Sequence, residues 1–375
     1  MRDTKSLIII LGILVFAFSC RKGNIEEVLE DQYKIVPNLP SEPYNYADYQ
    51  FPEGFISGLL NLVNSIPAYN LTTDDGATLG RVLFYDVSLS QNYAVSCSSC
   101  HNQQNGFSDP RPKSVGFLGG ETKRNSMNLV NHQFNRRMFW DLRANNLEQQ
   151  VLIPIEDPIE MGMDLNNLVE RLQHVEHYPP LFEKAFGTTE ITSDLISKAL
   201  AQFVRSIVSY QTKYDIGLTS EFSNFTEQEN IGRELFFSNA TRCAHCHTTS
   251  NFYQPGGLIN GLDEEYADGG QGDVNGNLDD HGRFKVPSLR NVALSAPYMH
   301  DGRFSSLEEV IEFYNSGVQA HPFLDDRLTP DLTPGGTPYE LNLEQGQKDA
   351  LLEFLHTLTD HPLINDIKFS SPFPE

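Results

Sequence analysis

The sequence predicts a mainly α chain made of two similar domains, and three observations carry that expectation. The pentapeptide Cys97-Ser98-Ser99-Cys100-His101 returns 146 residues later as Cys243-Ala244-His245-Cys246-His247. The stretch ahead of each copy also repeats: Leu79-Gly80-Arg81-Val82-Leu83-Phe84 aligns with Ile231-Gly232-Arg233-Glu234-Leu235-Phe236, followed both times by a loop and then the pentapeptide. Finally, 375 residues is material for about two domains of ordinary size, and the apolar residues between loops recur at helical rather than alternating spacing.

Taken in order, residues 1–20 hold an apolar run, Leu7 to Phe18, behind Arg2 and Lys5. The run is too short for a membrane span and reads as the apolar core of a secretory signal. Residues 21–50 are polar and interrupted by Pro37, Pro40 and Pro43, so they read as a tether, with ordered structure beginning near Phe51. Leu79, Val82 and Leu83 predict a helix starting at Thr73 or Asp74. Asn167 to Leu172 and Ser193 to Tyr210 read as helices, the second with Leu195, Ile196, Leu200, Phe203, Val204 and Ile207 as its packed face. Thr226-Glu227-Gln228-Glu229 has the form of a capping box ahead of Ile231, Leu235 and Phe236. Gly256 to Gly282 is rich in Gly and Asp without an apolar period and reads as a loop. Within it, Asp273-Val274-Asn275-Gly276-Asn277 lacks the closing Glu of a calcium loop. Leu307 to Tyr314 and Glu344 to Leu358 read as helices, the latter burying Leu351, Leu352 and Leu355.

The repeated pentapeptide carries the chemistry. Two residues between the cysteines let both sulfurs reach one porphyrin edge as thioethers, and the next residue, His101 or His247, then lies under the iron. A zinc ribbon needs no His at that place, and five cysteines in so long a chain make a sparse disulfide framework. Cys97, Cys100 and His101, and Cys243, Cys246 and His247, are therefore read as holding two covalently bound haem c groups. The fold class is mainly α, two cytochrome c-like haem domains related by internal duplication, spanning 51–220 and 221–365.

Covalent haem attachment requires export, which agrees with the signal at 1–20. Cys20, the odd cysteine, sits where a bacterial lipoprotein carries its lipid, although Ala17 stands where that pattern favours Leu; plain cleavage leaving a free Cys20 thiol is the alternative. The expectation is a protein on the periplasmic side, touching the membrane only through a lipid anchor at Cys20. With 27 basic against 50 acidic residues the formal charge is −23, which leaves no basic face for nucleic acid. Solubility accounts for most of that charge, and an acidic patch could also steer a basic redox partner.

With both pentapeptides, Phe139-Trp140-Asp141-Leu142-Arg143-Ala144 and Lys285-Val286-Pro287-Ser288-Leu289-Arg290-Asn291, the chain resembles the bacterial di-haem cytochrome c peroxidases and their MauG-type relatives from about Phe51 to His361. The resemblance implies that peroxide reacts at the His101 haem and that the His247 haem receives electrons. It places Trp140 between the two haems as a relay, Glu160 over the reactive iron as general acid/base, and Gln150 and Pro154 in the same pocket. It also implies one calcium held by Asn125 and by the backbone of Ser295 and Pro297.

Two departures stand out. The family's His in the loop after the first motif is absent from Val115-Gly116-Phe117-Leu118-Gly119, so the first haem is expected to be open without reductive activation; His132 is the alternative ligand, against a structural reading of the same residue. The second iron's far ligand, Met in many peroxidases, aligns with Tyr314 as in MauG-type enzymes, with Met299 as second choice. The implied function is a di-haem peroxidase reducing H2O2 with electrons from cytochrome c or a small copper protein, in monomeric or homodimeric form. The alternatives are a MauG-like oxidase that modifies residues of a partner protein and a non-catalytic di-haem electron carrier.

Overall fold

The computed structural model describes residues 35–52, 55 and 66–374. The expected signal, Cys20 and residues 21–34 of the expected tether lie outside the described residues. Among the described residues the chain is mostly helical, and no helix is long and apolar enough to cross a membrane.

The helices of the first half are α1 (Asp74–Tyr85), α2 (Cys97–Cys100), α3 (Leu147–Gln150), α4 (Ile153–Glu156), α5 (Leu165–Gln173), α6 (Tyr178–Phe186) and α7 (Ser193–Ser206). After them come α8 (Lys213–Thr219), α9 (Glu227–Phe236), α10 (Cys243–Cys246), strand β1 (Gly257–Leu258), α11 (Gln271–Asn275), strand β2 (Phe284–Lys285), α12 (Leu307–Glu312), α13 (Gln345–His356) and α14 (His361–Asn365). Strands β1 and β2 form one antiparallel pair, Gly257 opposite Lys285 and Leu258 opposite Phe284.

Helix α1 starts where its side-chain cap dictates, with the Thr73 hydroxyl accepting from Gly76 N–H at 3.0 Å. Helix α9 starts at the expected capping box, Glu229 N–H to Thr226 Oγ1 at 3.2 Å and Thr226 N–H to Glu229 Oε2 at 2.6 Å. Each of these helices crosses a later one at a glycine. A methyl group on Gly80 would come within 2.0 Å of the Ala199 carbonyl oxygen in α7, and one on Gly232 within 1.8 Å of the Ala350 carbonyl oxygen in α13. Phe203 and Phe354 pack beside these crossings and are fully buried. The close crossing also explains why Ile231 is exposed although its spacing suggested a buried face: the contact stripe of α9 is Glu229, Gly232 and Phe236.

The same local geometry recurs further along both halves. Asn131 and Asn291 both take positive φ, about 60°, and donate their backbone N–H to Ile207 and Leu358 carbonyls at 2.9 Å. Tight turns follow, bridged by Met138 with Ala144 and by Tyr298 with Phe304, and each contains an Asp–Arg pair, Asp141 with Arg143 and Asp301 with Arg303.

Several sequence expectations change. Helix α7 stops at Ser206, short of Tyr210, because the backbone beyond it is claimed by other partners: Ser209 N–H donates to Asn131 Oδ1 at 2.7 Å and Tyr210 N–H to Asp360 Oδ2 at 2.9 Å. The Gly256–Gly282 stretch contains β1 and α11 rather than loop alone. Helix α12 passes at Phe313 into a π turn, Phe313–Gly317, that carries Tyr314. In α13, Leu351 and Leu355 are buried but Leu352 is only half-buried. Ordered structure also begins before Phe51. Tyr46 is fully buried, donates its hydroxyl to Lys368 O at 2.6 Å, and lies on a segment whose Asn38 N–H reaches Pro372 O at 2.7 Å. The chain's last described residues thus strap its first described ones to α1, and the described residues from Val36 onward pack as one compact unit.

The glycine crossings are testable. Gly232→Ala should lower unfolding stability in urea by roughly 1–3 kcal/mol, the usual cost of forcing a methyl into a closed contact. The neighbouring exposed change Ile231→Ala should leave it within about 0.5 kcal/mol.

Candidate active site

Each Cys-x-x-Cys-His sequence folds as a single helical turn that brings two cysteines three residues apart onto one side. The histidine then caps the turn, His101 N–H on Cys97 O and His247 N–H on Cys243 O, both at 3.0 Å. Both rings are held the same way: His101 Nδ1 lies 3.0 Å from Phe107 O, and His247 Nδ1 lies 3.2 Å from Phe252 O. A carbonyl only accepts, so Nδ1 carries the proton and Nε2 keeps its lone pair for a metal. Burial lowers the pKa of both rings, that of His247 to about 4, so the imidazoles are neutral at physiological pH. Burial also pushes the Cys97 and Cys246 thiols up to about 12, the opposite of a reactive dithiol or a zinc thiolate set. The four cysteines of the motifs are free of disulfides. This donor set fits haem c: two thiols per site for thioether bonds and one oriented neutral imidazole.

The Lys285–Asn291 segment holds the second turn in place. Arg290, fully buried, grips Asp215 with both guanidinium nitrogens, Nη1 at 2.8 Å and Nη2 at 2.7 Å, and also donates to Ser250 O at 2.9 and 2.6 Å. Ser250 lies in the loop whose Phe252 carbonyl orients His247, so the buried ion pair fixes the ring at one remove.

At the first site, Glu160 lies close enough for its charge to act on both Cys97 and Cys100. Its carboxyl is pushed up to about 7, chiefly by burial and next by the Asp157 charge, with Arg143 pulling the other way. Asp157 shapes this turn by accepting the Ile159 and Glu160 N–H groups at 2.8 and 3.2 Å. The loop that lacks a histidine packs directly on it, Phe117 N–H donating to Glu160 O at 2.9 Å. Gln150 ends α3 with Oε1 buried and unmatched, and Pro154 sits in the first turn of α4. Both belong to the segment leading into the Asp157 turn, and neither hydrogen-bonds to Glu160.

The second site is a cavity of about 240 Å³ lined by Cys243, Cys246, His247, Trp140, Met299 and Tyr314, among others. Both candidate iron ligands are therefore in it, and one side chain touches both: Asn260 Nδ2 lies 3.4 Å from Tyr314 Oη and 4.0 Å from Met299 Sδ. Burial raises the Tyr314 phenol far above its ordinary value, while Asn260 pulls it back. Asn125, Ser295 and Pro297 line the same cavity. Asn125 donates Nδ2 to Arg111 O and Pro112 O at 3.2 and 3.3 Å, which leaves its side-chain oxygen as the group available to a hard cation.

Trp140 joins the two halves. Its indole Nε1 donates to Asn125 O at 2.9 Å, its carbonyl accepts Lys285 N–H at 2.8 Å, and Asn125 N–H reaches His300 O at 2.8 Å. His132, the alternative ligand for the first iron, is buried and lines the second cavity.

Sequence reasoning missed Asn260, which sits in the Gly-rich stretch without period or motif. It also missed Arg124, which pairs with Asp268 and Asp141 beside Trp140, and His300, stacked 3.8 Å from Phe284. The matching spacing of Trp140 and His300 within the two turns is the one signal that could have found His300.

Comparison with known proteins follows the same lines. The sequence pattern of the family described as di-haem cytochrome c peroxidase matches residues 74–222. The methylamine utilization protein MauG of Methylorubrum extorquens is 34% identical over 311 residues, covering 79% of this chain and 81% of that protein. The cytochrome c551 peroxidase of Nitrosomonas europaea is 34% identical over 254 residues, covering 67% and 75%. Among solved structures, a MauG-like protein associated with microbial copper homeostasis superposes with TM-score 0.72 at 33% identity, covering 81% of this chain and 95% of that one.

Glu160 makes a stability signature. Its carboxyl is protonated in the folded protein up to about pH 7, whereas in the unfolded chain it ionises near 4.5, so the folded form holds more protons between those values. Relative to Glu160→Gln, the wild type should therefore lose stability as pH rises from about 4.5 to about 7 and change no further above it. Urea unfolding of both proteins across that range measures the difference.

Proposed function

The chain belongs to the di-haem cytochrome c peroxidase and MauG family, and on that footing we propose that it reduces H2O2 to water with electrons from a small redox protein such as cytochrome c. The observation that carries the reading is Glu160, a half-buried carboxyl with a pKa of about 7 beside the Cys97–His101 turn and beneath a loop that has no histidine to close the site.

The residues divide the work as follows. His101 and His247, each presenting Nε2 because Nδ1 is bound to a carbonyl, hold the two haems with Cys97, Cys100, Cys243 and Cys246. The bound haem supplies an iron that takes peroxide and passes electrons. Cleaving the O–O bond requires a proton to leave the oxygen that stays and reach the one that departs as water. Glu160 moves that proton: near pH 7 it is about half ionised, so it accepts and returns a proton at little cost. Phe117 N–H is bonded to Glu160 O and Gly116 packs against the Ile159 carbonyl, so this loop holds the turn that carries Glu160. Trp140 lines the second cavity and is bonded to both halves, and it is the side chain assigned to pass charge between the sites. Asn125, Ser295 and Pro297 are assigned to one calcium that ties the cavity wall. The repeated turns and glycine crossings support descent of the two haem domains from one duplicated unit.

A second reading, a peroxide-dependent oxidase of a partner protein, is favoured by Tyr314. The π turn after α12 carries this phenol into the second cavity beside Asn260, and the relative from Methylorubrum extorquens is a MauG. We assign Tyr314, ahead of Met299, as the residue that would hold the second iron together with His247.

Two measurements test these assignments. Peroxide consumption with reduced cytochrome c should fall by about 10²–10⁴-fold in Glu160→Gln, the usual contribution of a positioned acid/base; turnover equal to wild type would remove Glu160 from the mechanism. Tyr314→Phe should change the ferric spectrum of one haem while Met299→Leu leaves it intact, and the reverse pattern would assign the ligand to Met299.

A further inference from the structure

Lys285 is 3% exposed, and its side chain lines the second cavity. Among the described residues, buried Arg290 is matched by Asp215, buried Arg205 by Glu148 and half-buried Arg124 by Asp268 and Asp141, while buried Arg81 donates to the Ser370 carbonyl at 2.6 Å. The two other basic chains lining the cavity are matched as well, Arg327 by Asp325 at 2.6 Å and Arg242 by the carbonyls of Arg327 and Thr329 at 3.2 and 2.7 Å. No carboxylate pairs with Lys285 among the described residues; the group facing its ammonium is the ring of Tyr253, 5.3 Å from Nζ to the centroid. Burial alone pulls its pKa down to about 7. An ammonium taken out of water without an anion costs several kcal/mol, so such a group implies a missing counter-charge.

A second unmatched group lies on the same wall. His132 is 5% exposed, lines the cavity, and has Nδ1 buried without a hydrogen-bond partner. Its pKa is held well below the usual value, first by burial and then by the Lys285 charge, so the two side chains sit within electrostatic reach.

The backbone does not require a lysine here. Asn125 occupies the corresponding place in the first half and makes the corresponding hydrogen bond across to the other half, Asn125 N–H to His300 O as Lys285 N–H to Trp140 O, both at 2.8 Å. A neutral side chain therefore suffices for that crossing, and the charge at Lys285 serves something in the cavity.

We propose that Lys285, assisted by His132, is the receptor for a propionate carboxylate of the haem held by Cys243, Cys246 and His247. The inference rests on the haem assignment above. A haem brings two carboxylates into a site whose walls are mostly apolar, and a carboxylate is acceptor-only, matching an ammonium and a protonated ring nitrogen. The pair fixes the propionate edge next to Trp140, whose carbonyl is bonded to the same residue's N–H. It also cancels one negative charge beside the iron, which favours the reduced state.

The test uses the full-length loaded protein. Intact mass first counts the haems on the wild type; fewer than two overturns the haem assignment and this inference with it. With two present, spectroelectrochemical titration compares wild type, Lys285→Met and Lys285→Arg. Lys285→Met should lower the reduction equilibrium of one haem by roughly tenfold, about 59 mV for one electron, while Lys285→Arg stays near wild type. Unchanged potentials in a fully loaded Lys285→Met protein would overturn the proposal while leaving the haem assignment standing. Should Lys285→Met fail to load, a crystal structure of the loaded wild type decides. A propionate oxygen about 2.7–3.2 Å from Nζ supports the proposal, and an ammonium facing any other group overturns it.

Discussion

Two backbone hydrogen bonds set the terms for everything else in this molecule. Asn125 N–H donates to His300 C=O and Lys285 N–H donates to Trp140 C=O, each at 2.8 Å, so each half reaches across into the tight turn of the other. These segments are buried, and unmade backbone bonds there would be expensive, so the crossing is fixed rather than optional. Around it lie the residues on which the chemistry depends. Trp140 adds a third bond through its indole to Asn125, Arg124 fastens the turn to Asp268 and Asp141, and the Lys285 strand runs on to Arg290. Moving either turn would move the Trp, the cavity wall and the loop behind His247 together.

Burial then decides which groups are reactive. The His101 and His247 rings are kept neutral and pointed by carbonyls, which suits them to be ligands rather than acids. Asp215 is fully buried but matched by Arg290, and it serves structure. Glu160 is half-buried with no cation bonded to it among the described residues, and its carboxyl is pushed up to about 7. The same contrast separates the matched arginines from Lys285. An unmatched charge inside a folded protein either neutralises itself or meets a ligand, and that constraint underlies the roles proposed for Glu160 and Lys285.

Much of the architecture was legible because it was written in local signals. Thr73 and Thr226 set helix starts through their own hydroxyls, and the Cys-x-x-Cys-His turns follow from spacing alone. The errors came where distant partners outbid local preference. Helix α7 ended early because Asn131 and Asp360 bind the backbone at Ser209 and Tyr210. Ile231 faced solvent because Gly232, with no side chain, makes the contact instead. The stretch before Phe51, which looked like tether, is held from Asn38 onward by the C-terminal residues, a pairing more than 300 positions apart that no local pattern records.

The sequence by itself determined the two attachment turns and the order of elements, because motif spacing and helical periodicity are properties of neighbouring residues, while the family resemblance singled out Glu160, Trp140 and Tyr314 as residues to examine. Only the tertiary structure decided which of them meet. It put Tyr314 and Met299 on one cavity under Asn260, left Glu160 half-buried beneath a loop without a histidine, and turned Lys285 inward with no carboxylate partner among the described residues. Burial and charge compensation depend on what the rest of the chain brings to a site, and that is fixed only when the two halves close on one another.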